Sequence, residues 1–396
     1  MSYKKILFIT SQGLYDGASQ AGHVGAYKRL EIIAQEADVY CICVRSPAEQ
    51  SRAYEGLKSL CKEVKFIDVS SAQKLWNAIR HFSIPILFAI KYSSELLRIV
   101  EQMIEHHQIE RVHIEWGNLA LLGKELKQRY PQLNISIALM DLISDSSKNL
   151  SLFSRGLLKY FWQFDAYRSI GFEKRYYRYF DLICVMGEAD ALKLKRMGMN
   201  SQKMISIAVP FAQYETSSKC WPLQNSELNI IFWGAYVRYQ NVDGALVLID
   251  QLLPILKAVY PNIKLIILGS QPPAQLQSKA SDEVEVTGFV ENPSPYFDRA
   301  HVAVMPLRYG AGIKVKVLEC LAAGIPVLTS PVGAENIDAS EQQGLYVCET
   351  NADYGTVLSK LLTDPEQYQR VSQAGIAWAD QMKKENDERT KTIIYG

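Results

Sequence analysis

No apolar run in this sequence approaches the roughly 18 residues needed to cross a bilayer as a helix. The N-terminal stretch MSYKKILFIT lacks the apolar core and cleavage site of a signal peptide and reads as a first strand, so a cytoplasmic protein is expected. Cysteine is scarce and poorly spaced for chemistry: seven residues, at 41, 43, 61, 184, 220, 320 and 348, with no CxxC pair. An odd number scattered through apolar runs suggests buried small hydrophobes in a reducing compartment, without disulfides. No His/Cys/Asp cluster has metal-ligand spacing, so no metal site is expected. Charge of one sign is missing too. The net charge is +1, and dispersed basic residues give no footprint for nucleic acid.

What is present is ordinary globular composition, 48% hydrophobic and 21% charged, over 396 residues. That length exceeds what one core usually holds, so two domains are expected. Short apolar runs alternate with helix-length amphipathic segments. KILFIT (5–10), DVYCICV (38–44), VKFIDV (64–69), RVHIEW (111–116), ISIALM (135–140) and DLICVM (181–186) form a first series. After the polar patch 214–227 the rhythm restarts with LNIIFWG (228–234), IKLIILG (263–269), EVTGFV (285–290), HVAVMP (301–306) and IPVLTS (325–330). Continuous apolar strands with helical crossovers indicate parallel sheets covered on both faces. The expected class is α/β: two Rossmann-like, doubly wound domains, residues 1–215 and 216–396, with the last helix free to cross back to the first. Ligands of such sheets sit outside the C-terminal strand edge, so a cleft between two facing domains is the natural site. Residues 1–215 carry 28 Lys+Arg against 22 Asp+Glu, and residues 216–396 carry 15 against 20. The first half therefore leans toward anionic partners.

The stretch RYGAGIKVKVLECLAAGIPVLTSPVGAEN (308–336) concentrates the chemistry. It reads as a glycine-containing loop after a strand, then a helix ended by Gly324. Gly310 and Gly312 let backbone approach a ligand closely. Lys314 and Lys316 place full positive charge at the helix end whose dipole is already positive. An anion such as phosphate resolves that conflict. Glu319, a turn further in, suits sugar hydroxyls. The competing reading is two surface lysines and a salt-bridged glutamate.

The whole string resembles the donor-binding signature of GT-B glycosyltransferases, and within them the large retaining glycosyltransferase family 4, the glycosyl transferases group 1. The resemblance runs through most of the second half. It implies that Lys314 and Lys316 face the nucleoside diphosphate, with Gly310, Gly312 and Ile313 in the same loop, and that Glu319 binds ribose. It also implies that the backbone of Phe289 and Val290 holds the base and that residues 330–333 line the donor cleft. Three positions depart from the pattern. The first of two glutamates seven residues apart, the usual sugar contact, falls on Ala311; the Arg and Lys after the first strand of the second domain fall on Ala235 and Gln240, with Arg238 close by as a substitute.

In the first half the resemblance makes DGASQAGHVGAYKRL (16–30) a glycine-rich loop reaching toward donor phosphate and acceptor, with Gly22 and His23 its residues of interest. Glu115 stands where the family often has a histidine, with His113 two residues back on the same strand face. Asp141 ends the next strand. Glu115, Asp141 and His23 are the catalytic candidates, to accept a proton or stabilise an oxocarbenium-like centre; Asp141 equally suits a helix or turn cap. Segments 74–98 and 155–180 mix aromatics with Lys and Arg. They read either as a surface for anionic lipid or as core helices with basic ends reaching out.

The resemblance implies a metal-independent hexosyltransferase with no cofactor beyond its nucleotide-sugar co-substrate. It would act with retention on a glycan or lipid-linked acceptor in bacterial-type glycoconjugate synthesis. If segments 74–98 and 155–180 form a lipid surface, a lipid-linked acceptor and peripheral contact at the inner membrane face are expected. The alternatives are a non-catalytic GT-B subunit binding a partner transferase or glycan, for which Ala311 speaks, and a GT-B nucleotide-sugar epimerase.

Overall fold

The computed structural model describes residues 4–14, 21–45, 52–207, 211, 227–310 and 312–396. Gly17, Ala311, Cys220 and most of the polar patch 214–227 lie outside them. The chain divides into two compact units, Met1–Pro210 with Glu385–Gly396, and Phe211–Lys384. The division at 210/211 compares with the 215/216 read from the sequence.

The first unit is built on seven strands: β1 (Lys4–Thr10), β2 (Ala37–Arg45), β3 (Glu63–Asp68), β4 (Arg111–Glu115), β5 (Asn134–Leu139), β6 (Leu182–Val185) and β7 (Met204–Ser206). They are all parallel, in the order β3-β2-β1-β4-β5-β6-β7. β1 is buried from Ile6 onward because it sits mid-sheet with helices on both faces, which explains its unbroken apolar run. The end of the helix Pro365–Tyr395 belongs to this unit: Ile393 and Ile394 are buried in one cluster with Ile6 and Phe8.

The second unit has six parallel strands: β8 (Leu228–Trp233), β9 (Ile263–Leu268), β10 (Val284–Gly288), β11 (Val302–Met305), β12 (Val327–Thr329) and β13 (Leu345–Val347). Their order is β10-β9-β8-β11-β12-β13. Each sheet thus reverses direction between its first and fourth strands, at β1/β4 and at β8/β11. Loops leaving the C-terminal ends of those pairs diverge to opposite faces and leave a crevice, the usual ligand position. β7 and β13, three-residue strands at the sheet edges, are too short to show a period in the sequence.

Five cysteines (41, 43, 184, 320 and 348) are buried and Cys61 is half-buried, all as thiols. No helix among the described residues is long and apolar enough to cross a membrane.

One buried carboxyl ties the first unit together. Glu173, in the helix Leu157–Tyr176, accepts the Ser144 N–H at 3.1 Å at the start of the helix Ile143–Phe153. Burial pushes its carboxyl up to about 7, against the opposing pull of the Ser144 hydrogen bonds. The folded state therefore holds a proton that the unfolded chain releases near its ordinary pKa of about 4.3. Stability from this group is full below that value and is lost as pH rises through about 7. Glu173→Gln keeps an oxygen for Ser144 and carries no charge. In urea titrations it should gain on the wild type by on the order of 2–3 kcal/mol between pH 5 and pH 8. Parallel pH profiles for the two proteins would refute the assignment.

Candidate functional site

In the second unit the crevice at β8/β11 is bordered by two helix starts. β8 ends in Trp233 and Gly234, and the helix Tyr239–Val247 follows, with Arg238 at its N-cap. β11 runs into the glycine loop, and the helix Val315–Ala322 follows, with Lys314 at its N-cap. The two are physically joined, since Lys316 Nζ donates to Asn241 Oδ1 at 2.5 Å. Asn241 Nδ2 in turn donates to Ala235 O at 2.7 Å. Both helices present N-terminal N–H groups and the positive ends of their dipoles to the same crevice.

The loop needs its glycines for conformation. Gly310 has φ 127° and Gly312 φ 72°, both in the region side chains disfavour. The resulting turn buries Lys314, whose Nζ donates to Gly312 O at 2.5 Å and lies 3.4 Å from Glu335 Oε2. Ile313 points the other way, into a small apolar cluster with Phe211, Leu318 and Ala379. Lys316 is held over the Phe232 ring at 4.9 Å. A Cβ on Gly234 would stand 3.3 Å from its Nζ and 2.9 Å from Asn241 Nδ2, so the absence of a side chain there is what admits the ammonium.

The electrostatics match the geometry. Burial, then the positive charges of Lys314 and Arg238, push the Lys316 ammonium down to about 7. Three cations and two helix ends thus surround one place, and the exposed guanidinium belongs to Arg238. An anion entering there would meet both helix N-termini and the charges of Lys316 and Arg238.

Glu319 lies a turn further along, buried, and its Oε2 accepts the Trp233 indole N–H at 2.6 Å. Trp233 stands edge-on to Phe297 at 5.8 Å, which fixes its ring and therefore the carboxylate. Ser330 donates to Leu307 O and accepts Gly333 N–H at 3.2 Å, so the segment 330–333 closes onto the start of the lysine loop. β10 ends at Gly288; Phe289 beyond it is 75% exposed, while Val290 packs against the core. The second unit thus gathers Lys314, Lys316, Glu319 and Arg238 around one crevice. Asn241, Trp233 and Glu335 were not read from the sequence. Asn241 had a visible signal, since it adjoins Gln240, one of the departing positions.

In the first unit, Gly22 and His23 open the helix Ala21–Glu36. A Cβ on Gly22 would lie 3.4 Å from Met140 Cε and 3.8 Å from Trp116 Nε1. His23 is buried beside Trp116, ring centroids 5.8 Å apart. Trp116 has φ 73°, a conformation that turns the chain sharply after β4. Asp141, the residue after Met140, is exposed. The ends of β4 and β5 and the start of this helix therefore meet.

Glu115 lies beneath that meeting point, fully buried. Its Oε1 accepts Arg29 Nε–H at 2.6 Å and is 3.2 Å from His113 Nε2. His113 Nδ1 is 2.8 Å from Ser136 Oγ. Burial would raise the Glu115 carboxyl, but Arg29 and His113 outweigh it and hold it below the usual range. Burial depresses His113 despite Glu115. The consistent assignment is an ionised Glu115 and a neutral His113 that donates from Nε2 and accepts Ser136 O–H at Nδ1. Its zero exposure separates Glu115 from the exposed Asp141. Arg29 was not singled out from the sequence, where nothing distinguishes it from a solvated helix arginine.

Residues 227–364 match the sequence model of the family described as glycosyl transferases group 1. That match covers about a third of the chain. The matched segment contains Arg238, Lys314, Lys316 and Glu319 of the β8/β11 crevice. A curated relative, an uncharacterized glycosyltransferase of Methanosarcina mazei, is 33% identical over 100 residues; the match spans 25% of this chain and 24% of the relative. Solved structures match over nearly the whole chain. Sucrose-phosphate synthase of Thermosynechococcus elongatus superposes with a TM-score of 0.68 at 14% identity, covering 99% of this chain and 98% of that one. Anabaena HepE in complex with UDP and glucose gives 0.66 at 12%, covering 98% and 100%. The fold is thus that of the GT-B neighbours, two parallel-sheet units with surrounding helices.

Proposed function

We propose that the protein is a glycosyltransferase that takes a sugar from a nucleoside-diphosphate sugar. The observation that carries this reading is the convergence of Lys314, Lys316 and Arg238 on two helix N-termini, within the segment that matches the group 1 family. A diphosphate supplies the missing negative charge, and the same cations stabilise it as it leaves. Glu319, oriented by Trp233, takes the ribose hydroxyls, and the backbone at Phe289 and Val290 takes the base. HepE's complex with UDP and glucose supports UDP among the donors to try first.

The first unit holds the acceptor in this reading, a glycan or lipid-linked glycan receiving a hexose with retention. Gly22 and His23 stand on the acceptor side in this reading, and Asp141, exposed just after β5, is the carboxylate candidate for the reacting centre. Glu115 holds β4 in place for them. The lysines take the part a divalent cation plays in other transferases, so activity should persist in EDTA.

The depressed Lys316 supplies a sharper test. An anion beside it raises its pKa, so binding takes up a fraction of a proton at pH 7.5. A nucleotide sugar is the right probe, because its esterified diphosphate does not titrate in this range. Calorimetry in two buffers of different ionisation enthalpy should show proton uptake, and affinity should weaken as pH rises above 7. Uptake of zero, with an affinity flat from pH 6.5 to 9, would place the anion elsewhere.

A further inference from the structure

The two aromatic-basic segments of the first unit were ambiguous in the sequence, and the structure divides each of them. In 74–98, Phe88, Leu96 and Leu97 are core residues. The preceding helix Ser71–Arg80 buries nothing. Its Leu75, Trp76 and Ile79 are 64%, 61% and 59% exposed, and Phe82 in the turn after it is 79% exposed. In 155–180, Phe172 and Tyr177 are core, but the first turns of the helix Leu157–Tyr176 are not. Leu157 is 88% exposed, Tyr160 68%, Phe164 60% and Tyr167 76%. Isolated exposed hydrophobics are normal, but a run of this length on two helices is not.

The two exposed runs adjoin. Arg168 Nη2 donates to Phe82 O at 2.8 Å, and Ile86 N–H donates to Asp165 Oδ1 at 3.0 Å. Phe88 and Phe172 pack beneath, ring centroids 4.3 Å apart. The apolar surface of the first helix therefore continues into that of the second across the turn at Phe82.

Charge identifies what covers it. Residues 70–94 contain no Asp or Glu, and residues 146–172 contain only Asp165. Asp165 is fully buried and accepts from Ile86 N–H and Ser147 Oγ–H, so it shows no charge to solvent. Against it stand Lys74, Arg80, Lys148, Arg155, Lys159 and Arg168. Exposed Leu, Ile and Phe flanked by Trp and Tyr, with an excess of Lys and Arg around them of which only Arg168 has an acidic partner among the described residues, in the buried Asp165, are the composition of a surface that enters the headgroup region of an anionic bilayer.

We propose that helices Ser71–Arg80 and Leu157–Tyr176 together form a docking surface for an anionic lipid bilayer, through which the first unit attaches reversibly to membranes. The proposal stands independently of the donor reading, since no residue of the β8/β11 crevice belongs to it. It supplies a route by which a chain with no spanning helix among its described residues meets a lipid-linked acceptor.

The test is cosedimentation of the full chain with vesicles of phosphatidylcholine containing 30% phosphatidylglycerol, and with phosphatidylcholine alone, at about 50 mM and 500 mM salt. Binding should require the anionic lipid and weaken strongly at high salt. Lys159→Ser should lower the partition coefficient about fivefold, the usual effect of one basic residue near the surface. Trp76→Ser with Phe82→Ser should lower it at least tenfold at either salt concentration. These side chains are exposed, so the circular dichroism and nucleotide affinity of both variants should match the wild type. Failure to bind anionic vesicles at low salt, or equal binding by wild type and variants, would overturn the proposal. So would a concentration-dependent dimer in light scattering that the Trp76/Phe82 variant abolishes, which would assign the surface to a second copy of the chain.

Discussion

Lys316→Met should weaken nucleotide-sugar binding by between tenfold and a hundredfold while leaving the fold intact. The side chain is wedged between Asn241 Oδ1, the Phe232 ring and the space left by Gly234, and methionine fills that space without a charge. What it loses is a charge-assisted contact to the diphosphate, worth about 1.5–3 kcal/mol. The unliganded variant should be as stable as the wild type or more so near neutral pH, because it removes an ammonium that burial and two neighbouring cations disfavour. That opposition, weaker binding with undiminished stability, distinguishes a ligand-binding lysine from a structural one. A variant that binds as tightly as the wild type in calorimetry would remove Lys316 from the donor site.

The second large effect is on stability. Arg29→Met should destabilise the first unit by about 3–5 kcal/mol, the cost of leaving a buried carboxylate without its charge partner. A melting temperature lower by about 10 °C is the corresponding thermal result. Arg29 Nη1 and Nη2 and Glu115 Oε2 have no hydrogen-bond partner among the described residues, so the pair is costly to bury even when intact. Arg29→Met combined with Glu115→Leu should therefore recover much of the loss. The single variant has a pH signature as well. Arg29 helps hold His113 deprotonated, so its removal lets His113 take a proton and pair with Glu115. Removing the Arg29 charge eases the depression of His113, which burial chiefly causes, so the deficit should shrink as pH falls through the histidine range. A loss under 1 kcal/mol, or a deficit unchanged from pH 5 to 8, would mean that the pair does not hold the strand end in solution.

The two sites differed in how much of them the sequence displayed. Lys314 and Lys316 stood out because positive charge at a helix start is locally unfavourable, and local conflict is readable without a fold. The strand ends FWG and VMP were equally plain, because central parallel strands are continuous apolar runs. Arg29 is the opposite case. It pairs with Glu115, 86 residues away, and nothing local sets it apart from the neighbouring Lys28, which is solvated. Trp233 and Glu319 are likewise 86 residues apart in sequence and 2.6 Å apart in space. Their contact follows from β8 and β11 being neighbours, which strand order alone reveals. Exposure was the hardest property to read. Helix Ser71–Arg80 has the amphipathic period of a core helix, and only the packing of Phe88 and Leu96 beneath the sheet leaves its apolar face with nothing to cover.

The central claim, that the β8/β11 crevice binds a nucleoside-diphosphate sugar for transfer, is tested most directly by nucleoside diphosphate release. The full chain would be incubated with UDP-, GDP-, ADP- and dTDP-linked hexoses, and the freed diphosphate quantified beside the Lys316→Met variant. The account predicts slow release from one base class by the wild type, faster with an acceptor, and at least tenfold less from the variant. Release from none of them by folded protein, with no calorimetric binding, would contradict it and leave a GT-B subunit without donor chemistry.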